Sequence, residues 1–105
     1  MISVEIRLLS EAREDIEGQE DSRRLAEEIK NSLSDPDQSK VKVVDKPSYD
    51  MVFHRFKLKK DGFDHRVFFD YIDSKLIIFA VRHRDFAYEP GEMQKAVERL
   101  EELRE

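Results

Sequence analysis

The sequence predicts an α+β fold: a strand, two helices, a three-stranded antiparallel meander and a C-terminal helix. Three observations predict it. Ile2, Val4, Ile6 and Leu8 alternate with Ser3, Glu5 and Arg7, the period of a half-buried strand. Residues 51–84 hold three apolar-rich runs divided by the turn pairs Asp61-Gly62 and Asp73-Ser74. Apolar stripes at helical spacing lie before and after that region.

The elements follow in order. Ser10 reads as the N-cap of a short helix with Glu11 and Glu14 near its positive end, Ala12 and Ile16 on its apolar side and Gly18 as its stop. A second helix runs from Asp21 or Ser22 to about Leu33, burying Leu25, Ala26, Ile29 and Leu33. Residues 34–39 read as loop, and Val41, Val43 and Val44 as a short extended piece ended at Pro47. The run Leu76-Ile77-Ile78-Phe79-Ala80-Val81 is apolar on both parities, as a strand covered on both faces requires. Glu89-Pro90-Gly91-Glu92 opens the last helix, whose stripe is Met93, Ala96, Val97, Leu100 and Leu103. A chain of 105 residues fills one core, so residues 1–105 read as one domain.

Composition narrows the function classes. With no cysteine there is neither disulfide nor thiolate chemistry, and the cytoplasm is the expected compartment. No apolar run approaches the roughly 20 residues of a membrane span. His54, His65 and His83 lack paired ligand spacing, so no metal is expected. Three glycines form no phosphate loop, so no small-molecule cofactor is expected either. The net charge of −5 is unevenly distributed, with residues 1–40 at −5, residues 41–88 at +3 and residues 89–105 at −3. Positive charge is concentrated in the meander.

Within the meander, alternation sets Phe53, Arg55, Lys57 and Lys59 on one face and Val52, His54, Phe56 and Leu58 on the other. Arg66, Phe68 and Asp70 share a face of the next strand, and Arg82 and Arg84 share a side of the last. If these rows meet, they form a seat for phosphate, where guanidinium groups offer a bidentate fork. The same rows also fit the solvated face of an antiparallel sheet. In Val81-Arg82-His83-Arg84-Asp85-Phe86-Ala87-Tyr88, the histidine or tyrosine could move protons, or His83 could pack locally while Tyr88 anchors the last helix.

The element order resembles the RelE/ParE toxin superfamily. Two stretches carry the resemblance. Phe56 to Asp73 contains a lysine-bearing strand, a glycine turn and Arg66-Val67-Phe68-Phe69, similar to the family's R-[VIL]-x-[YF]. Leu76 to Tyr88 is similar to its strand ending in His-Arg and a later tyrosine. The match covers about residues 53–88, and the first helices by architecture only.

The resemblance implies a ribosome-dependent endoribonuclease of a type II toxin–antitoxin system, with mRNA, rRNA and an antitoxin protein as partners. In such enzymes a 2′-hydroxyl attacks the adjacent phosphate. By position, Lys57 and Lys59 match the catalytic lysines, Arg66 the phosphate-stabilising arginine, Arg84 the arginine of the His-Arg pair and Tyr88 the C-terminal tyrosine. Lys59 or Tyr88 is then the proton acceptor, and Arg84 the donor or charge clamp. Arg55, Lys60, Arg82 and His83 are expected to bind RNA. The same resemblance leaves room for a ParE-like gyrase inhibitor and for a catalytically attenuated interaction module.

Overall fold

The structure, a computed structural model, describes residues 5–46 and 51–105. Its elements are β1 (Glu5–Leu8), α1 (Ser10–Glu17), α2 (Ser22–Ser34), a 3-10 turn (Gln38–Lys40), β2 (Val41–Lys46), β3 (Met51–Lys60), β4 (Phe63–Ile72), β5 (Lys75–His83) and α3 (Pro90–Arg104). Ile2 and Val4, expected in the first strand, and Pro47, expected to end the extended piece, lie outside the described residues.

The chain is α+β, with one five-stranded mixed sheet in the order β1-β5-β4-β3-β2. The expected extended piece is a full strand, because residues 41–46 pair antiparallel with residues 51–56. The meander therefore has four strands, and β1 joins its far edge parallel to β5. Such a parallel pairing needs a long connection, which α1 through β4 supply. Both expected hairpin turns are present, with positive φ at Asp61 (52°), Gly62 (90°), Asp73 (51°) and Ser74 (65°). Two successive left-handed residues match the twist of the strands they join.

Ser10 is not the cap of α1. The Leu9 N–H donates to the Ile78 carbonyl at 3.0 Å, holding Leu9 extended beside β5, so Leu9 takes the cap position and the helix begins at Ser10, one residue earlier than expected. The Leu9 carbonyl accepts from Arg13 N–H at 3.0 Å in the first helical bond.

Two apolar layers flank the sheet. On one face Ala12 and Ile16 of α1 and Leu25, Ile29 and Leu33 of α2 bury Phe56, Leu58, Phe63, Val67, Phe69, Leu76, Ile78 and Val81. On the other, Met93, Ala96, Val97 and Leu100 of α3 bury Met51, Phe53, Phe68, Phe79 and Ala80. The helices sit diagonally: α3 covers the start of β3, and α1 and α2 reach the turn where β3 meets β4. Each face is left open at the opposite end.

A bulge in β5 fixes which side chains reach those open ends. Phe68 pairs with Ala80 and Phe69 with Ile78, so Phe79 is an extra residue without a partner across the ladder. Its ring packs edge-on against Phe53 at 5.3 Å between centroids. Before the bulge, Leu76 and Ile78 face α1 and α2; after it, Val81 takes that side. In a regular strand, residues 76, 78, 80 and 82 would share a face. The bulge breaks that series and turns Arg82 toward the α3 side.

Candidate nucleic-acid interface

The open end of the α3 face is a cationic surface assembled by strand register. Lys57 stands opposite Arg66, and Arg66 opposite Arg82, one row across three strands. The next row sets Lys59 opposite Asp64, and the Arg84 N–H extends the ladder by donating to the Asp64 carbonyl at 2.9 Å. Opposed residues in a sheet point to the same side, so Lys57, Lys59, Asp64, Arg66 and Arg84 share this face with Arg55. Like charges facing one another across strands destabilise a sheet, and carboxylates offset part of that cost here.

Asp64 is the central anion. Its Oδ1 accepts from Arg66 Nη1 at 3.0 Å, and its Oδ2 lies 3.6 Å from Arg84 Nη1. The Arg66 hydrogen bond, followed by the charges of Arg66, Arg84 and Lys59, holds the Asp64 carboxyl below the usual carboxylate range. Arg66 itself is buried, at 6% exposure. Its Nη1 also donates to the His65 carbonyl at 3.1 Å, while its Nε has no acceptor among the described residues. Arg84 is exposed, and Lys57 and Lys59 form no ion pair among the described side chains.

Tyr88 closes one side of the surface. Its hydroxyl accepts from Arg55 Nη1 at 3.0 Å, and its ring stands edge-on to Phe68 with centroids 6.2 Å apart. It is 44% exposed, so the hydroxyl is fixed at one edge yet open to a ligand. A shallow groove beside it continues past Arg55 to Lys42 and Asp45 of β2.

Three residues expected to contact RNA stand elsewhere. Arg82 has the right parity but only 7% exposure, paired with Asp15 of α1 and with Glu92 of α3 at 2.7 Å. Its charge is held inside the fold. Lys60 lies on the opposite parity from Lys57 and Lys59, and its Nζ is 3.6 Å from Glu28 Oε2 of α2. His83 turns to the α1 and α2 side, where its ring meets His65 at 5.3 Å and its Nδ1 accepts from the Asp85 N–H at 3.2 Å.

The chain matches no family model and no curated protein.

Asp15, Arg99 and Glu92 were not singled out by the sequence, yet they stiffen one side of the site. β1 pairs only with residues 75–78 of β5, and beyond it the Val81 N–H donates to Asp15 Oδ2 at 3.0 Å. Arg99 of α3 donates to the same oxygen at 2.8 Å and to the Phe79 carbonyl at 3.0 Å. One carboxylate thus ties α1, β5 and α3 together. The available signal was placement: Asp15 and Arg99 each sit beside the apolar stripe of their helix. On the far side of the sheet, Arg24 of α2 donates to the Asp61 carbonyl at 3.0 Å and lies 4.7 Å over the Phe63 ring, pinning the hairpin that carries the cations. No group of three potential metal ligands and no helix long and apolar enough to cross a membrane occurs among the described residues.

Proposed function

We propose that this chain is a RelE-like toxin of a type II toxin–antitoxin system, a cytoplasmic endoribonuclease that cuts mRNA on the ribosome. The observation that carries the reading is the shared face of Lys57, Lys59, Arg66 and Arg84 at an end of the sheet that α3 leaves uncovered. Arg66 has the single carboxylate of Asp64 as its partner, whereas the equally buried Arg82 is matched by both Asp15 and Glu92, so of the two it is Arg66 that can answer a phosphate.

In the proposed reaction the 2′-oxygen of a bound nucleotide attacks the adjacent phosphorus as its proton passes to Lys59 or Tyr88. The bond from phosphorus to the 5′-oxygen breaks, and that oxygen takes up a proton. The products are a 2′,3′-cyclic phosphate and a 5′-hydroxyl end. Arg66, held by the His65 carbonyl, is oriented to meet the charge that develops on the non-bridging oxygens. Arg84 clamps the phosphate from solvent or supplies the departing oxygen's proton. Lys57 and Arg55 neutralise the neighbouring backbone.

Inducible expression of the wild type beside Lys59→Ala/Arg84→Ala tests this. Wild type is expected to arrest growth with codon-positioned mRNA cuts, and the double variant to cut at least about 100-fold more slowly. Both side chains are exposed, so the variant keeps its fold. Wild-type protein that is folded and harmless would sink the proposal in favour of an interaction module. Arrest with intact mRNA and blocked supercoiling would replace it with gyrase inhibition.

A further inference from the structure

Asp64 stands where a bound phosphate would stand. We infer that its carboxylate is an internal stand-in for the phosphate, seated between Arg66 and Arg84 until a phosphate group displaces it. The inference deepens the reading of this face as a phosphate site and rests on it. It adds that the resting site is occupied by the chain itself.

The geometry is that of a bridging anion. One oxygen takes the hydrogen bond of Arg66 and the other faces Arg84, with Lys59 directly across the strand pair. A tetrahedral phosphate in the same place would face the same two guanidinium groups, with the Lys59 ammonium across the strand pair. Arg66 Nε, inside a side chain 7% exposed, has no acceptor among the described residues. On the strand residues of this open end, Asp64 is the one acid among the described side chains. A purely structural anion could have paired with Arg66 alone. This one spans the two arginines that the substrate needs.

The exchange has a cost that sets the behaviour of the site. A dianion approaching the seat meets the Asp64 charge at close range, and binding requires that carboxylate to rotate away. Arg66 would then lose one partner and gain another, whereas Arg84 exchanges a long contact for a short one. The acid therefore weakens the hold on any polyanion and keeps the free protein from binding RNA indiscriminately.

Asp64→Asn tests this, because the amide keeps an oxygen for Arg66 while removing the charge. Binding of inorganic pyrophosphate and of a 2′-deoxy oligonucleotide, which cannot be cut, is measured by calorimetry on wild type, Asp64→Asn and Asp64→Asn/Arg84→Ala. The single variant is expected to bind both probes about tenfold more tightly at low salt, as removal of one nearby charge implies, with the gain lost in the double variant. Equal or weaker binding by Asp64→Asn, with its thermal midpoint unchanged, would overturn the inference and leave Asp64 as a support for Arg66. The outcome is separable from the nuclease reading. Tighter pyrophosphate binding without any mRNA cutting would keep the stand-in and discard the nuclease. Cutting by the wild type with no gain in the variant would do the reverse.

Discussion

The two open ends of the sheet differ in what they leave uncovered. On the α3 side the exposed end carries Lys57, Lys59 and Arg84 around a buried Arg66 and Arg82, a set that repels itself and is offset by Asp64 beside Arg66 and Arg84 and by Asp15 and Glu92 beside Arg82. On the α1 and α2 side the exposed end is apolar and aromatic. Val43, Val52 and Tyr71 are 62%, 46% and 49% exposed there, beside His54, which stacks on Phe69 at 5.3 Å. The apolar end is what a small sheet leaves when its helices run out, since scattered exposed apolar groups are ordinary. The cationic end is costly, because along β3 the residues of this face, Arg55, Lys57 and Lys59, carry a single sign. The contrast is the physical reason for placing function on the α3 side.

Three further tests break or sharpen that contrast, beyond the two experiments above. The largest effect is expected from Asp15→Ala, which leaves the Val81 N–H without its acceptor and strips a carboxylate from both Arg82 and Arg99. Removing one partner of a buried ion pair costs on the order of 3 kcal/mol, read as a shift of the urea midpoint. A near-neutral result would mean that the row is not held by its acids. A smaller effect is expected from pH. Burial, followed by the charge of His83, pushes the His65 imidazole below its ordinary 6.5, so the unfolded chain binds that proton more readily than the folded one. This contribution is complete above about pH 6.5 and is lost as pH falls through the folded value. Wild type should therefore lose thermal stability as pH falls below about 6.5, and His65→Gln should give a flatter profile; parallel profiles would remove His65 as the cause. The smallest effect is expected from Val43→Thr and Tyr71→Ser, each within about 0.5 kcal/mol of wild type and without influence on RNA cutting. A loss of cutting from either would make the apolar end part of the functional surface.

Much of this was legible in the sequence because a strand alternates strictly. The face shared by Phe53, Arg55, Lys57 and Lys59 follows from parity alone, and so does the opposite placement of Lys60 and of His83, which stands between Arg82 and Arg84. The two hairpins were equally legible, because Asp61-Gly62 and Asp73-Ser74 tolerate left-handed backbone. The fourth meander strand was half visible, because Val41, Val43 and Val44 suggested extension but not a partner. What the sequence could not convey was long-range pairing. Arg82 looks as free as Arg84 until Asp15, 67 residues earlier, reaches round the end of β1 to meet it. Asp64 looks like an ordinary hairpin acid until register sets it between two arginines.

The bulge at Phe79 has a consequence for how this chain tolerates change. Side-chain substitutions near it alter size or charge at one place, but an added residue alters parity for everything that follows. Loss of Phe79 would only straighten the strand, since the ladder already skips it, whereas gain of one residue after the bulge would carry Arg82 and Arg84 round to the α1 and α2 side and bring Val81 and His83 to the cationic side. The fold thus treats the spacing between Ile78 and Val81 as information in its own right, separate from the identity of the residues that fill it.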